Sequence, residues 1–282
     1  MFVFLNGELV PEEQAVVSVF DRSFLYGDGL FETLLVLNGK PFRWRQHLER
    51  LQRGGDFLKI PVPFRPDELL RFLDQLIMAN RLPHALLRLT LSRGTGRRGY
   101  SPQGADRPLL VMTLHPAPPV EQHPPAHWRL VTASCRLPAH EPLAQFKTCN
   151  KLPQILARSE ADAAGAQEAL LLNTNGSVVE AASGNLFWIE DGEIVTPPLA
   201  SGVLPGVTRA VVIEICEILG FSIREDNAKV EQLYQCEGIF LSLSSAGIVE
   251  SVSLDGRPLR QSHLTGKIRD AYNALVRSET GA

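Results

Sequence analysis

Apolar and polar positions alternate with a period of two along much of this chain, and the runs are punctuated by two-residue turns. FVFLNGELV predicts a hairpin about Asn6-Gly7, and Phe31 to Leu37 with Pro41-Phe42 predicts a second about Asn38-Gly39. The spacing then becomes helical. His47, Leu48 and Leu51 fall on one face of RQHLERLQRGGDFLKI, with Gly54-Gly55 expected to end that helix. Asp67 to Asn80 predicts another amphipathic helix. Ala85 to Ser92 and Pro108 to Leu114 predict strands flanking the glycine-rich loop RGTGRRGYSPQGAD. The first half is therefore read as mixed α+β.

The clearest break is His115 to His127, HPAPPVEQHPPAH, whose five prolines disfavour helix and central strand. It is read as a semi-rigid linker over 115–127, between a small domain at 1–114 and a large one at 128–282. Beyond it, Trp128 to Ser134 predicts a strand and Lys151 to Ala164 a helix. Hairpins are predicted across Asn175-Gly176 and Asp191-Gly192. LPGVTRAVVIEICEILG predicts a helix with Val211, Val212, Ile215 and Ile218 on one face and Gly220 closing it. Ile239 to Ser244 reads as a late strand and His263 to Arg277 as a terminal helix.

Composition narrows the class. The chain has 282 residues, 44% hydrophobic and 21% charged, which is globular rather than disordered. A net charge of −3 gives no basic field for nucleic acid. No apolar run reaches the length of a membrane span, and MFVFLNGELV lacks a basic leader, so neither membrane nor secretion is expected. Cys135, Cys149, Cys216 and Cys236 have no metal-ligand spacing and read as reduced thiols of a cytoplasmic protein. The arginines bunch at Arg43, Arg45 and Arg50 and again at Arg93, Arg97 and Arg98. Such bunches suit a small anion, or form a solvated face.

Several positions invite a chemical reading beside a plain one. Lys147 in QFKTCNKLPQ is either a solvated lysine or an amine partly desolvated by Phe146 and Cys149, and so nucleophilic toward aldehydes. Glu180 closes an apolar strand. It is either a strand-end carboxylate in water or the group that keeps a heterocyclic nitrogen protonated. LPGVT at Leu204 to Thr208 opens a helix whose backbone N–H groups could take an anion, with Arg50 as a candidate second contact. The loop at Gly94 to Tyr100 lacks the Gly-Lys-Ser/Thr ending of a nucleotide phosphate loop, and no metal-ligand array is present.

Taken in order, YGDGLFETL (Tyr26 to Leu34), HLERL (His47 to Leu51), KTCNKL (Lys147 to Leu152), EAASGNLFW (Glu180 to Trp188) and LPGVTR (Leu204 to Arg209) resemble the class IV aminotransferase family of fold-type IV enzymes. The resemblance implies an α/β protein with a small α+β domain and an α/β-barrel-like large domain. It implies pyridoxal 5'-phosphate held between them, and a homodimer acting on a small-molecule amino substrate. It further implies Lys147 as the Schiff-base lysine and proton shuttle, and Glu180 as partner of the pyridine nitrogen. Arg50, Val207, Thr208 and Ser244 would hold the phosphate, Leu204 would pack on the ring, and Asn185 would support the Glu180 segment. Phe31, Arg98, Tyr100, Ser245 and Ala246 would face the substrate.

Within the family, RGTGRRGYSP is similar to the loop of 4-amino-4-deoxychorismate lyases, where the arginine and tyrosine meet the substrate. Ser244-Ser245-Ala246-Gly247-Ile248 lacks the acid that aminotransferases carry at the fourth place. The glycine and tyrosine signature that follows the lysine in branched-chain enzymes is absent as well. The loop and the missing acid favour the lyase over an aminotransferase acting on D-amino or branched-chain acids, and the missing signature disfavours the branched-chain enzymes. Against it, Ser251 stands where lyases often have Pro, and Lys-x-x-Asn-x-Leu is shared with the D-amino-acid enzymes.

Overall fold

The computed structural model describes residues 1–117 and 127–281, which divide into two compact units. The first comprises Met1–Pro119, Phe146–Asn150 and Arg277–Ala282; the second comprises Val120–Gln145 and Lys151–Val276. The linker expected at 115–127 falls mainly on 118–126, outside the described residues. At its described start, His115 and Pro116 belong to a strand paired with Leu86 and Ala85 rather than to a linker.

The first unit contains β1 (Phe2–Leu5), β2 (Glu8–Pro11), α1 (Arg22–Tyr26), β3 (Gly29–Leu37), β4 (Lys40–Pro41), α2 (Trp44–Leu58), α3 (Pro66–Asn80), β5 (Ala85–Ser92) and β6 (Leu109–Pro116). The strands form one antiparallel sheet in the order β2-β1-β6-β5-β3-β4. Period-two alternation sends Leu30, Leu34 and Val36 of β3 and Leu87, Leu89 and Leu91 of β5 into a core with Leu48 and Leu51 of α2 and Leu69, Leu73 and Leu76 of α3.

One expectation fails here. Gly54-Gly55 does not end α2, which runs on to Leu58 and closes at Lys59 in the left-handed region (φ 55°). The glycines are there for packing. A Cβ on Gly54 would lie 2.9 Å from a Leu30 methyl, and one on Gly55 would lie 2.7 Å from the Ile60 carbonyl oxygen. The helix accepts the propensity cost of glycine in order to lie close against β3.

The second unit contains β7 (His127–Leu137), α4 (Leu152–Ala163), β8 (Glu168–Asn173), β9 (Val178–Ala181), β10 (Asn185–Glu190), β11 (Glu193–Thr196), α5 (Val207–Leu219), β12 (Ile223–Glu225), α6 (Val230–Leu233), β13 (Gly238–Leu243), β14 (Gly247–Leu254), β15 (Arg257–Pro258) and α7 (His263–Thr280) as far as Val276, the last turn of α7 being counted with the first unit. Its sheet runs β12-β11-β10-β13-β14-β7-β8-β9, with β15 on β14. β7 pairs in parallel with both β8 and β14, and the rest is antiparallel except β11 with β12. Leu130, Leu170, Leu186, Leu241 and Val249 fill the core on one face. β14 has no counterpart in the sequence reading.

Candidate active site

The lysine segment is fixed by backbone register. Phe31 N donates to Lys147 O at 2.9 Å, Cys149 N donates to Gly29 O at 2.9 Å, and Thr148 bridges Leu30 antiparallel. Residues 146–150 thus extend the first unit's sheet at β3, which is why they cluster there although the sequence reading assigned them to the large domain. Pairing puts Thr148 on the buried face with Leu30 and turns Lys147 to the other face with Phe31. The Lys147 Nζ sits 4.7 Å from the Phe31 ring centroid. The Arg88 guanidinium lies on the same ring at 4.0 Å. Two cations on one apolar ring, one of them a half-buried amine, make a setting that suits a nucleophilic lysine beside a carboxylate-binding arginine.

Behind this face lies a second charged group. Glu32 points into the core between Leu30 and Leu34 and is 0% exposed. Its Oε1 accepts from Arg50 Nε at 2.7 Å. Its Oε2 accepts from Arg50 Nη2 at 2.6 Å and from His47 Nδ1 at 2.7 Å. Burial alone would raise this carboxyl, but the Arg50 charge and hydrogen bonds and the His47 bond reverse that and leave it at about 2. Burial pushes His47 below its ordinary value despite Glu32. The imidazole is therefore neutral near pH 7, and an ionised Glu32 requires the proton on Nδ1. Arg50, the expected phosphate ligand, is thus held along one edge of its guanidinium by a buried carboxylate.

The glycine-rich loop is organised by Arg22, which is 3% exposed. Its Nη1 donates to Gly99 O and Ser101 O and its Nη2 to Tyr100 O. Its Nε donates to Asp28 Oδ2 at 2.8 Å, and that same oxygen accepts from Arg93 Nε at 2.7 Å. Burial raises the Asp28 carboxyl, and the Arg93 and Arg22 bonds more than offset this, so it lies below its ordinary value. Arg97, Arg98 and Tyr100 point outward, Tyr100 being 86% exposed. The arginine bunches are therefore divided. Arg93 is engaged inside the fold, Arg43 pairs with Glu279 at 3.1 Å and Arg45 pairs with Glu49 on the surface, while Arg97 and Arg98 face solvent.

In the second unit, Glu180 Oε2 accepts from Leu204 N at 3.1 Å and from Asn185 Nδ2 at 3.3 Å. Asn185 Nδ2 also donates to Leu204 O at 2.9 Å. Gly206 permits this arrangement, since a Cβ there would fall 1.9 Å from Asn185 Oδ1. Gly206 also serves as N-cap of α5 and brings no capping side chain, so the first-turn N–H groups at Val207 and Thr208 stand ready for an external anion. The Thr208 and Ser244 hydroxyls share a hydrogen bond at 3.3 Å in the same region. Ser245 and Ala246 lie on the turn between β13 and β14 and are exposed. A fixed carboxylate, an uncapped helix start and paired hydroxyls fit a phosphorylated heterocycle.

Glu32, Arg88, Arg22 and Asp28 were not singled out from sequence. The signals were present for two of them. Glu32 occupies an inward position in an apolar alternation, and Arg88 an outward one, two places before Thr90 and next to the strand of Phe31.

The family profile described as "Amino-transferase class IV" matches residues 29–254. The "Putative branched-chain-amino-acid aminotransferase" of Methanocaldococcus jannaschii is 33% identical over 279 residues, covering 98% of this chain and 96% of the relative. A solved branched-chain amino acid aminotransferase of T.th., with pyridoxamine 5'-phosphate, superposes with a TM-score of 0.91 at 29% identity, covering 99% and 94% of the two chains. A "Putative 4-amino-4-deoxychorismate lyase" of Legionella pneumophila superposes with a TM-score of 0.86 at 32% identity, covering 94% and 97%. Among the described residues no helix is long and apolar enough to cross a membrane.

Proposed function

The chain belongs to the class IV aminotransferase family, an enzyme family that uses pyridoxal 5'-phosphate, and within it we propose that it is a 4-amino-4-deoxychorismate lyase, releasing pyruvate and 4-aminobenzoate. The observation that carries this reading is the loop Gly94 to Ser101, which a buried arginine holds by its backbone while Arg98 and Tyr100 are presented outward. The substrate has two carboxylates, and Arg98 and Arg88 are cations suited to them; Tyr100 adds a ring face and a hydroxyl. The turn at Ser244 to Gly247 supports it too, since no acid there opposes an anionic substrate.

When bound, the cofactor supplies an aldehyde for the substrate's amine and a ring able to take up an electron pair. The chain's own residues do the rest. Lys147 supplies the amine that holds the cofactor between turnovers and the base that removes the proton from the carbon bearing the substrate nitrogen. Glu180, fixed by Leu204 N and Asn185, would keep the pyridine nitrogen protonated. Val207, Thr208, Ser244 and Arg50 would take the phosphate, and Leu204 would cover the ring. The exposed Val16, Val17, Val19, Phe20, Phe24 and Leu25 support a working homodimer, since so many apolar side chains in ten residues are costly to leave in water.

An aminotransferase is the second reading, favoured by the identity and superposition with branched-chain enzymes. Mass spectrometry of products separates the two. Pyruvate and 4-aminobenzoate from aminodeoxychorismate support the lyase. Their absence, with brisk amino transfer from L- or D-amino acids to 2-oxoglutarate, establishes the aminotransferase.

A further inference from the structure

We propose that Arg22, with Asp28 and Arg93, positions the 98–101 loop and thereby sets the substrate preference of this enzyme; the inference rests on the reading that Arg98 and Tyr100 meet the substrate. The YGDGLF segment, which carries Asp28, is then the loop's anchor.

The geometry is specific to a guanidinium. Three consecutive carbonyls, those of Gly99, Tyr100 and Ser101, accept from the two terminal nitrogens of Arg22, while its Nε is held by Asp28. A lysine ammonium offers three donors at one point and cannot span such a row. Because the bonds go to backbone, the clamp itself engages no side chain of the loop, and Arg98 and Tyr100 are exposed. Further contacts define the same conformation. Gly99 N donates to the Tyr26 hydroxyl at 3.3 Å, and the Tyr26 and Tyr100 rings meet edge-on with centroids 5.5 Å apart. Gly94 and Gly99 have φ of +85° and +106°, and a Cβ on Gly94 would lie 2.0 Å from Arg107 O, so the loop's entry admits only glycine.

Asp28 ties this clamp to the body of the unit. It shares one oxygen between Arg22 and Arg93, and Arg93 donates its other nitrogens to Leu58 O at 2.8 Å and Lys59 O at 3.1 Å, the carbonyls of the last residue of α2 and of its C-cap. A continuous run of charge-assisted bonds therefore connects the end of α2 to the loop. Arg22 acts on the substrate only by fixing where Arg98 and Tyr100 stand, so it is a positioning residue.

The test is Arg22→Lys in the holoenzyme, with Arg98→Ala in parallel. Trypsin cleavage after Arg97 and Arg98 reports the clamp, because those arginines are exposed while the backbone that follows them, from Gly99 to Ser101, is held. Arg22→Lys should raise that cleavage rate at least tenfold. It should raise KM for aminodeoxychorismate about tenfold with a much smaller change in kcat, and leave the visible spectrum of the lysine-bound cofactor unchanged. Unchanged cleavage overturns the clamp. Faster cleavage without a KM change in Arg22→Lys, when Arg98→Ala does raise KM, overturns the positioning role and leaves the functional reading standing. No KM change in either variant overturns the reading that the loop meets the substrate, and the inference with it. Should Arg22→Lys fail to fold, Asp28→Asn removes the charge that orients both arginines at constant volume, and the same three readouts decide.

Discussion

Replacing Glu32 by Gln is the sharpest test of how the first unit is held together. The side chain keeps its size but loses its charge and one acceptor. Its two carboxylate oxygens accept three bonds, two from Arg50 and one from His47, with no exposure to water. The amide would turn an N–H group toward at least one of those donors and remove the carboxylate charge that lies against the buried Arg50 guanidinium. A carboxyl held at about 2 rather than 4.5 has its ionised form favoured by about 3 kcal/mol, at about 1.4 kcal/mol per pH unit. That agrees with the roughly 3–5 kcal/mol lost when one partner of a buried ion pair is removed. We expect Glu32→Gln to lower the unfolding free energy of the cofactor-free protein by about 3 kcal/mol at pH 7, read by urea denaturation. The sign with pH follows from a depressed folded-state value. The contribution is fully present above 4.5 and disappears as pH falls toward about 2, so the gap between wild type and variant should close across that window. His47 adds a separate slope to both proteins. Its folded value lies below 6.5, so acid favours the unfolded chain once pH drops under 6.5. A Glu32→Gln protein within about 1 kcal/mol of wild type, or a gap that is constant from pH 7 to 3, would refute the assignment of an ionised carboxylate shared between Arg50 and His47.

Other expectations concern the chemistry itself. If Lys147 is both tether and base, as proposed, Lys147→Ala should abolish the visible absorbance of the lysine-bound cofactor and cut turnover by several orders of magnitude; a normal spectrum would remove Lys147 from the mechanism. Glu180→Gln should retain cofactor yet lose most activity, whereas near-native turnover would make Glu180 structural. Arg98→Ala should weaken aminodeoxychorismate by about 1.5–3 kcal/mol, the scale of a charged hydrogen bond, and so lower its kcat/KM relative to alanine by about tenfold or more. An unchanged ratio of the two kcat/KM values would detach Arg98 from the substrate.

Local patterns carried most of the fold. Two-residue turns with Asn-Gly and Asp-Gly located the hairpins, because a left-handed backbone there admits few residues, and Asn6, Asn38 and Asp191 do adopt positive φ. What stayed hidden was non-local. Nothing in QFKTCNKL says that it will pair with Gly29 to Phe31, some 118 residues earlier by the Leu30–Thr148 bridge. Gly54-Gly55 looked like a stop because glycine usually is one; its use as a packing surface depends on Leu30 and Ile60, which only the folded chain brings near. β14 was missed because its partners lie in β7 and β13 and its register slips between Ser251 and Ser253, so its alternation is blurred.

The candidate site divides along the same line. Lys147 and Glu180 could be proposed from sequence because a Schiff-base tether and a pyridinium partner would each demand one residue type in a short motif. Arg22, Asp28, Glu32 and Arg88 do their work through partners distant in sequence, so a motif records at most the letter and not the reason. Glu32 is the instructive case. In LFETLL it stands where the strand's period requires an apolar residue, and a glutamate there is costly unless two cations or strong donors reach it. HLER supplies them, with His47 and Arg50 three apart on one helix face. Either segment read alone suggests a surface charge, whereas together they imply a buried pair. Reaction type is least legible of all, because lyase and aminotransferase share the first proton removal and part only afterwards. On the proposed reading the parting turns on which anion is retained beside the reacting carbon, the part given there to Arg88 and Arg98. Arg98 stands beside the backbone that Arg22 clamps, whereas Arg88 is fixed within β5 by its pairing with β3 and β6, so Arg22→Lys tests the placement of the loop alone and the products formed decide the reaction type.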